Sequence, residues 1–367
     1  QARGVKTILG GYHAMLVPDE VQHYADSVVV GFAEPIWQRV LSDAESGKLQ
    51  RRYVQNKKTP YQYSMPRRDI FAGKQYFKLS CVETGRGCPL CCNFCSIAAA
   101  TESTYNARPI DSVVADIATL TNRNVFFVED NFMGNMRHAA ELCKEIIPLK
   151  IRWVGQGTLT MARDEKLLDV MRESGCLGVL IGFESLRSDT LQLMDKNVNA
   201  KMGDYRKWVD IIHKHGIAIY GTFIFGYDTE TLADINETVD RATDMGLFIA
   251  AFNHLLPFPN TRLYREFLEQ GRLIDPQWWL NPTFRFGDVP FRPKHMTSEE
   301  LNRFCVEARK KFYSISSIFR RMNNLSGNCT SLRKTGAYVG INRLLRKEIR
   351  QKDGLPLGNE STRPIPR

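Results

Sequence analysis

The sequence predicts an α/β protein built around a partial (β/α)6 barrel with a parallel sheet. Between residues 76 and 270, short apolar segments alternate with segments of helical periodicity. The alternation repeats six times, and consecutive strand–helix–strand units form parallel sheets through right-handed crossovers. Polar or glycine-containing segments follow several of the apolar ones. Parallel β/α proteins place their chemistry at these strand ends.

The expected elements follow from this periodicity. Before the barrel, we expect a strand at 5–9, a helix at 18–23, a strand at 27–30 and a helix opened by 31–37. The barrel strands are expected at 77–83, 125–128, 151–154, 178–181, 217–225 and 249–252. The barrel helices are expected at 111–120, 135–147, 164–173, 203–215 and 231–244. His213 and His215 lie at the end of one of these helices, where we expect them to be solvated or to cap it.

The C-terminal part is predicted to be helical and basic. Thr297 and Glu300 form a capping box that starts an amphipathic helix, and 341–349 is a second basic amphipathic stretch. Between Thr297 and Lys352 there are 13 Lys and Arg against 4 Asp and Glu, a balance of +9. Such a segment is either a solvated basic surface or a face for anionic lipid, nucleic acid or an anionic substrate.

These patterns divide the chain into five parts. They are the end of an α/β domain (1–47), a polar, turn-rich linker that contains Lys57 to Pro60 (48–75), the barrel (76–270), the basic helical region (271–353) and a disordered tail (354–367).

The composition is that of a globular protein, with 367 residues of which 43% are hydrophobic and 25% charged. No apolar run approaches the roughly 20 residues that a membrane-spanning helix needs, and no signal peptide is visible. The nine cysteines are too sparse for a disulfide framework. We therefore expect a cytoplasmic protein. Because residue 1 is Gln, we also expect the chain to be a fragment that lacks its true start.

Three cysteines, Cys88, Cys92 and Cys95, have the spacing C-x3-C-x2-C directly after the first barrel strand. Three thiolates on one loop can hold three irons of a cubane iron–sulfur cluster, which ordinarily takes four cysteines. The fourth iron would then be open, as expected for a catalytic metal site. Cys91 leaves a second interpretation open, because Cys88/Cys91 and Cys92/Cys95 are C-x2-C pairs of the kind that bind zinc.

With this motif, the chain resembles radical S-adenosylmethionine (SAM) enzymes, whose pattern also has an aromatic residue at the position of Phe94. The resemblance implies a 4Fe-4S cluster whose open iron binds SAM. One electron from the cluster then cleaves SAM into methionine and a 5′-deoxyadenosyl radical. It also implies an electron donor such as flavodoxin or ferredoxin.

The resemblance extends to several strand ends and covers residues 1–270, most specifically 77–261. It implies that SAM is bound by Glu129, Asp130 and Asn131 (ammonium), Glu184 and Ser185 (ribose and carboxylate), and Ile224, Phe225 and Gly226 (adenine). Pro257 belongs to the family's turn after the sixth strand. In that turn Asn260 replaces a glycine and can still adopt a positive φ. Gln156 is a further candidate that would point into the barrel.

The first 37 residues resemble the end of the cobalamin-binding domain that precedes many radical SAM domains. Gly10 and Gly11 would approach the cofactor, because glycines after a strand let the backbone come close to a ligand. The D-x-H-x-x-G motif that supplies an axial histidine in that domain does not occur in the chain, and we interpret His13 as a loop histidine. Whether cobalamin binds therefore stays open.

The resemblance favours a radical SAM enzyme that acts on an unactivated carbon of a small molecule, by cobalamin-dependent C-methylation of a lipid-like or tetrapyrrole substrate. The basic C-terminal region suggests peripheral contact with the inner face of a membrane. Three alternatives remain. They are an oxidative cyclase or rearrangement enzyme, a methylthiotransferase-like tRNA-modifying enzyme, and a non-catalytic metal or electron-carrier protein. A nucleic-acid partner is not expected, because the extra cysteine triad and RNA-binding module of the methylthiotransferases are missing from this chain.

Overall fold

The computed structural model describes residues 4–56, 62–71, 73–75 and 77–357. Residues 57–60 of the predicted linker, Tyr76 and most of the predicted tail lie outside the described residues. The chain divides into two compact units. The first comprises Gln1–Gly157, Glu173–Cys176 and Phe258–Arg262; the second comprises Thr158–Arg172, Leu177–Pro257 and Leu263–Arg367.

The first unit contains eight strands and six α-helices among its described residues. The strands are β1 (Ile8–Leu9), β2 (Ser27–Val30), β3 (Arg52–Val54), β4 (Ser80–Val82), β5 (Gly85–Gly87), β6 (Tyr105–Ala107), β7 (Asn124–Phe127) and β8 (Arg152–Gly157). The helices are α1 (Tyr12–Leu16), α2 (Pro18–Val21), α3 (Trp37–Glu45), α4 (Ser96–Thr101), α5 (Ile110–Ala118) and α6 (Met136–Ile146).

A small parallel sheet, in the order β1-β2-β3, forms the start of this unit. Val29, Val40 and Tyr53 pack as its core. β3 lies inside the segment 48–75 and was not predicted, although Tyr53 is buried and its hydroxyl donates to Asp43 at 2.7 Å. His13 lies in the short helix α1 and not in a loop, and it pairs with Glu20 at 2.8 Å.

The strands β4, β7 and β8 are neighbours and run parallel, as the strand–helix alternation predicts. Behind them the rings of Phe127, Phe132 and Trp153 pack with centroids 5.0 to 5.5 Å apart. β5 and β6 form an antiparallel hairpin that the sequence analysis did not predict. This hairpin determines the position of the cysteine loop, because Cys88 directly follows Gly87, the last residue of β5.

The second unit contains the strands β9 (Cys176–Glu184), β10 (Ala218–Phe225) and β11 (Ile249–His254), which are also parallel neighbours. The register between β9 and β10 shifts at Thr222 and Phe223, opposite the end of β9. The remaining helices are α7 (Glu165–Glu173), α8 (Ser188–Leu193), α9 (Asn197–Ala200), α10 (Tyr205–Lys214), α11 (Leu232–Asp244), α12 (Arg262–Glu269), α13 (Ser298–Phe312), α14 (Ile315–Met322) and α15 (Leu332–Glu348).

The capping box of Thr297 and Glu300 is confirmed at the start of α13. The second basic helix, α15, begins nine residues before the predicted stretch and contacts the core through Tyr338 and Asn342. Arg321 of α14 is fully buried between these elements and donates hydrogen bonds to the backbone carbonyls of Leu247, Phe248 and Phe312 and to Asn342. Across the part of the chain that the structure describes, no helix is both long and apolar enough to cross a bilayer.

Candidate active site

The cysteine loop runs from the end of β5 to the start of α4. Cys92 is buried, Cys88 and Cys95 are half-buried, and Cys91 is exposed. Asn131, at the end of β7, lies with its amide nitrogen 3.4 Å from the Cys88 sulfur. No three His, Cys, Asp or Glu side chains of the described residues converge as ligands of a single metal ion. A cluster does not need such convergence, because each thiolate binds a different iron.

The turn before Cys88 is held by a carboxylate. Asp130 accepts a hydrogen bond from the backbone N–H of Gly87 at 2.9 Å and another from the hydroxyl of Tyr12 at 3.2 Å. Gly87 has φ +82°, and a Cβ there would come 2.1 Å from the carbonyl oxygen of Thr104, so only glycine fits. Burial and the Asp130 carboxylate both raise the pKa of Tyr12, which keeps its hydroxyl protonated as a donor.

Glu129, the first of the three predicted ammonium ligands, is buried, and within the described part of the chain neither of its carboxylate oxygens has a hydrogen-bond partner. Burial raises its pKa to about 8, so the neutral acid predominates at pH 7. Glu129, Asp130 and Asn131 thus have three different surroundings. Glu129 is buried with no hydrogen bond to its carboxylate from any described residue, Asp130 holds the turn at Gly87, and Asn131 contacts a predicted cluster ligand.

A cavity of about 480 Å³ lies beside the ends of β1 and β2. Gly10, Gly11 and Gly31 contribute backbone to its wall, and a Cβ added at Gly11 would meet no atom within 4 Å. Gly11 and Gly31 have φ values of +93° and +102°, which other residues rarely adopt. The side chains around the cavity include Tyr12, Phe32, Glu34, Trp37, Arg86 and Asp130.

In the second unit, Glu184 lies at the end of β9 with φ +63°, which is unusual for a residue other than glycine. Its carboxylate accepts from the ammonium group of Lys196 at 2.6 Å, and both side chains are about nine-tenths buried. A Cβ at Gly182 would come 2.2 Å from this carboxylate, so the glycine makes room for the ion pair. Asn199 fixes the same strand end by donating to the carbonyl of Gly182 at 2.8 Å.

A buried carboxylate, Glu230, connects the ends of β9 and β10. It accepts from the hydroxyl of Ser185 at 3.1 Å and from the backbone N–H groups of Gly226 and Tyr227 at 3.0 and 3.3 Å. Burial raises the pKa of Glu230 to about 7. The segments containing Ser185 and Gly226, predicted separately from the sequence, therefore share one partner.

The other predicted residues are distributed between the two units. Ile224 is half-buried and Phe225 is buried at the end of β10, and Pro257 is buried and accepts a hydrogen bond from the indole N–H of Trp278 at 3.2 Å. Asn260 has φ +60°, as predicted. Gln156 in β8 and Phe94 in the cysteine loop are half-buried.

Sequence reasoning missed Lys196 and Glu230. The only available signal for Glu230 was its position four residues after Gly226, within the loop that follows β10. No spacing rule connects Lys196 to Glu184, twelve residues earlier, because the two meet only when α8 and α9 fold back on the strand end.

Comparison with known proteins gives a consistent result. Residues 82–242 match the Radical SAM superfamily. Bacteriochlorophyllide d C-12(1)-methyltransferase from Chlorobaculum tepidum is 28% identical over 333 residues, which cover 88% of this chain and 72% of that protein.

Two solved structures are similar in fold. The cobalamin-dependent SAM radical enzyme OxsB, with aqua-cobalamin bound, has a TM-score of 0.64 at 12% identity, and the match covers 94% of this chain and 59% of OxsB. The radical SAM methyltransferase TsrM from Kitasatospora setae, with cobalamin and a 4Fe-4S cluster bound, has a TM-score of 0.59 at 18% identity, covering 73% and 58%. This chain thus spans less than two thirds of either solved chain. The family match shows that the chain contains a radical SAM domain at residues 82–242, and the solved structures show that its fold is similar to theirs.

Proposed function

We propose that this protein reductively cleaves SAM at a 4Fe-4S cluster and uses the resulting radical for cobalamin-dependent C-methylation of a tetrapyrrole or lipid-like substrate. The observation that carries the proposal is the loop of Cys88, Cys92 and Cys95, whose first residue contacts Asn131 at 3.4 Å and whose preceding turn is fixed by Asp130. The substrate class comes from the similarity to the bacteriochlorophyllide methyltransferase over 88% of this chain.

One set of residues binds the cluster and another binds SAM. The three cysteines hold the cluster, which when bound supplies the electron that breaks SAM. Glu184, Ser185 and Gly226 contact the ribose and adenine, with Ile224, Phe225 and Pro257 as apolar surface. Charge-assisted hydrogen bonds from ribose hydroxyls to a carboxylate such as Glu184 are strong. Phe94, Gln156 and the segment 129–131 are the remaining SAM-contact candidates, and the side-chain amide nitrogen of Asn131 lies 3.4 Å from the Cys88 sulfur.

Cobalamin would use the cavity beside β1 and β2, with residues 1–47 as the end of its binding domain. The residues present fit this group, because Gly11 has no side chain and a Cβ there would meet no atom within 4 Å, which leaves open space at the cavity wall for a large flat ring. When bound, cobalamin supplies the methyl group. His13 is paired with Glu20 and is not proposed as its ligand.

The direct test is an anaerobic assay of the reconstituted protein with SAM carrying a deuterated methyl group, a chemical or flavodoxin electron donor, hydroxocobalamin and a bacteriochlorophyllide. We expect 5′-deoxyadenosine and methionine from one SAM molecule, S-adenosylhomocysteine from a second SAM molecule, and a product that gains the labelled methyl group of the second. Formation of 5′-deoxyadenosine with an oxidised but unmethylated product would instead favour the cyclase or rearrangement alternative. Failure to cleave SAM in the presence of an intact cluster would contradict the proposal as a whole.

Contact with an anionic membrane surface is also part of the proposed function, since the proposed substrates partition into lipid. The outward faces of α14 and α15 combine apolar and basic side chains. Phe319 is 59% exposed on the side of α14 opposite Arg321, and Leu332 at the start of α15 is 94% exposed. Arg343 and Lys347 lie on the exposed side of α15. Basic and apolar groups on one face favour anionic lipid over a purely ionic partner.

We expect the protein to float with phosphatidylglycerol vesicles at low salt and not with phosphatidylcholine vesicles. Changing Arg343 and Lys347 together to Glu should weaken binding more than tenfold, because each basic residue contributes on the order of 1 kcal/mol near such a surface. Phe319→Ser should also reduce flotation, whereas Phe77→Ser, at a Phe of the first unit that is even more exposed, should leave it unchanged. Equal flotation of all four proteins would refute the proposed surface.

A further inference from the structure

The two residues directly before Cys88, Arg86 and Gly87, are each connected to a different loop of the small N-terminal sheet. Gly87 donates its N–H to Asp130 at 2.9 Å, and Asp130 also accepts a hydrogen bond from the hydroxyl of Tyr12. Tyr12 directly follows Gly10 and Gly11, the two glycines after β1. Arg86 forms an ion pair at 2.8 Å with Glu34, in the loop after β2.

These contacts leave the turn before Cys88 little freedom. The guanidinium of Arg86 also pairs with Glu83 and lies 5.1 Å from the ring centroid of Phe32. Both Arg86 and Glu34 are mostly buried, so their ion pair is screened less than a surface pair. Gly87 is enclosed by the backbone at Thr104. A shift of the loop after β1 would therefore be transmitted to Cys88 through Tyr12 and Asp130. A shift of the loop after β2 would be transmitted through the ion pair of Glu34 and Arg86.

The same side chains line the cavity. Tyr12, Phe32, Glu34, Arg86 and Asp130 all contribute to its wall, so a ligand that fills the cavity would contact residues of both connections. A cofactor that fills this space must accept, displace or reorient their polar groups. Each of these changes would alter the hydrogen bond of Gly87 or the ion pair of Arg86.

We propose that Tyr12 and Glu34 are positioning residues that couple the occupancy of the cavity to the geometry of the cluster loop. The inference rests on the proposed function, because it takes cobalamin as the ligand of the cavity and Cys88 as a cluster ligand. Coupling of two binding sites is reciprocal, so the cluster changes the affinity for cobalamin by the same factor as cobalamin changes the affinity for the cluster. Typical coupling factors are about 5- to 150-fold.

The test measures this factor directly. Hydroxocobalamin affinity is determined anaerobically for the protein with and without its reconstituted cluster, by quenching of tryptophan fluorescence, since Trp37 lines the cavity. We expect the two dissociation constants to differ at least fivefold. The electron paramagnetic resonance signal of the reduced cluster should also shift when hydroxocobalamin is added.

In Tyr12→Phe and in Glu34→Gln, both cofactors should still bind, the affinity ratio should fall toward one, and the spectral shift should shrink. Tyr24→Phe is the matched control, because Tyr24 is exposed and follows α2 in the same N-terminal region; it should keep the wild-type ratio. If Tyr12→Phe fails to bind the cluster, the test uses Glu34→Gln alone. Glu34 contacts Arg86 and not Asp130, so this variant leaves the hydrogen bond between Asp130 and Gly87 intact.

The outcomes separate the two proposals. A wild-type ratio of one with tight binding of both cofactors would overturn the coupling and leave the proposed function standing. A full wild-type ratio in both variants would overturn the role of Tyr12 and Glu34. Absence of cobalamin binding in either state of the wild-type protein would overturn the cobalamin part of the proposed function together with this inference.

Discussion

Cys92→Ala is expected to abolish cluster assembly and SAM cleavage. Cys92 is the most buried of the three predicted ligands, and the backbone N–H of Cys95 donates to its carbonyl at 3.2 Å, so no other thiol of the loop can replace it without rebuilding the turn. Loss of a cluster ligand should reduce 5′-deoxyadenosine formation by well over the roughly 100-fold known for outer-shell changes at metal sites. Iron content, absorbance near 400 nm and the product assay measure this effect.

Cys91→Ala provides the matched control at the neighbouring position. Cys91 is exposed and falls outside the C-x3-C-x2-C spacing, so this variant should retain its iron and most of its activity. The zinc interpretation predicts the reverse, because it uses Cys91 in a C-x2-C pair. Stoichiometric zinc in place of iron, or equal loss of metal in both variants, would contradict the cluster assignment.

Lys196→Met is expected to weaken SAM binding strongly and to destabilise the second unit. The variant leaves the buried carboxylate of Glu184 without the ammonium group that lies 2.6 Å away. Breaking a buried ion pair by removal of one partner costs about 3–5 kcal/mol, much of it from the remaining uncompensated charge. We expect a thermal transition lowered by several degrees, measured by circular dichroism, and a SAM dissociation constant raised at least tenfold, measured by calorimetry.

Two further proteins separate stability from binding. Lys201→Met removes a lysine at an exposed position just after α9 and should change neither quantity. Adding Glu184→Gln to Lys196→Met removes the stranded charge and should recover much of the stability, but SAM affinity should stay low because the carboxylate itself is missing. Recovery of SAM affinity in the double variant would show that Glu184 is not a SAM contact.

The strand and helix pattern was largely predictable because its elements are long enough to show periodicity. β2 was predicted at its observed bounds, and α13 follows the capping residue that the sequence indicated, Thr297. α11 was predicted to start at Thr231, which is its N-cap, one residue before its observed start. The β5–β6 hairpin was missed, because three-residue strands such as Gly85–Gly87 carry no alternation.

Buried ionisable side chains were the other feature that could not be predicted from the sequence. His213 was expected at a solvated helix end, yet it is buried, and its ring nitrogen lies 2.7 Å from the side-chain amide of Asn324. Burial lowers its pKa to about 3, so it stays neutral. Lys196, Glu230 and Arg321 are similar cases. Charged residues are buried rarely and only with partners, and those partners come from segments distant in sequence. Local pattern therefore located the strand ends of the candidate site but not the groups that hold them.

The backbone at Glu184 has a consequence for how this site responds to substitution. A left-handed conformation costs a residue with a Cβ roughly 1–2 kcal/mol, and glycine would adopt it without that penalty. The main chain alone would therefore gain from losing this side chain. Glycine here would, however, leave the buried ammonium group of Lys196 without the carboxylate 2.6 Å away, at a cost of about 3–5 kcal/mol. Random libraries sorted only for heat resistance would therefore reject Glu184→Gly and keep the strained backbone, unless Lys196 changed in the same clone.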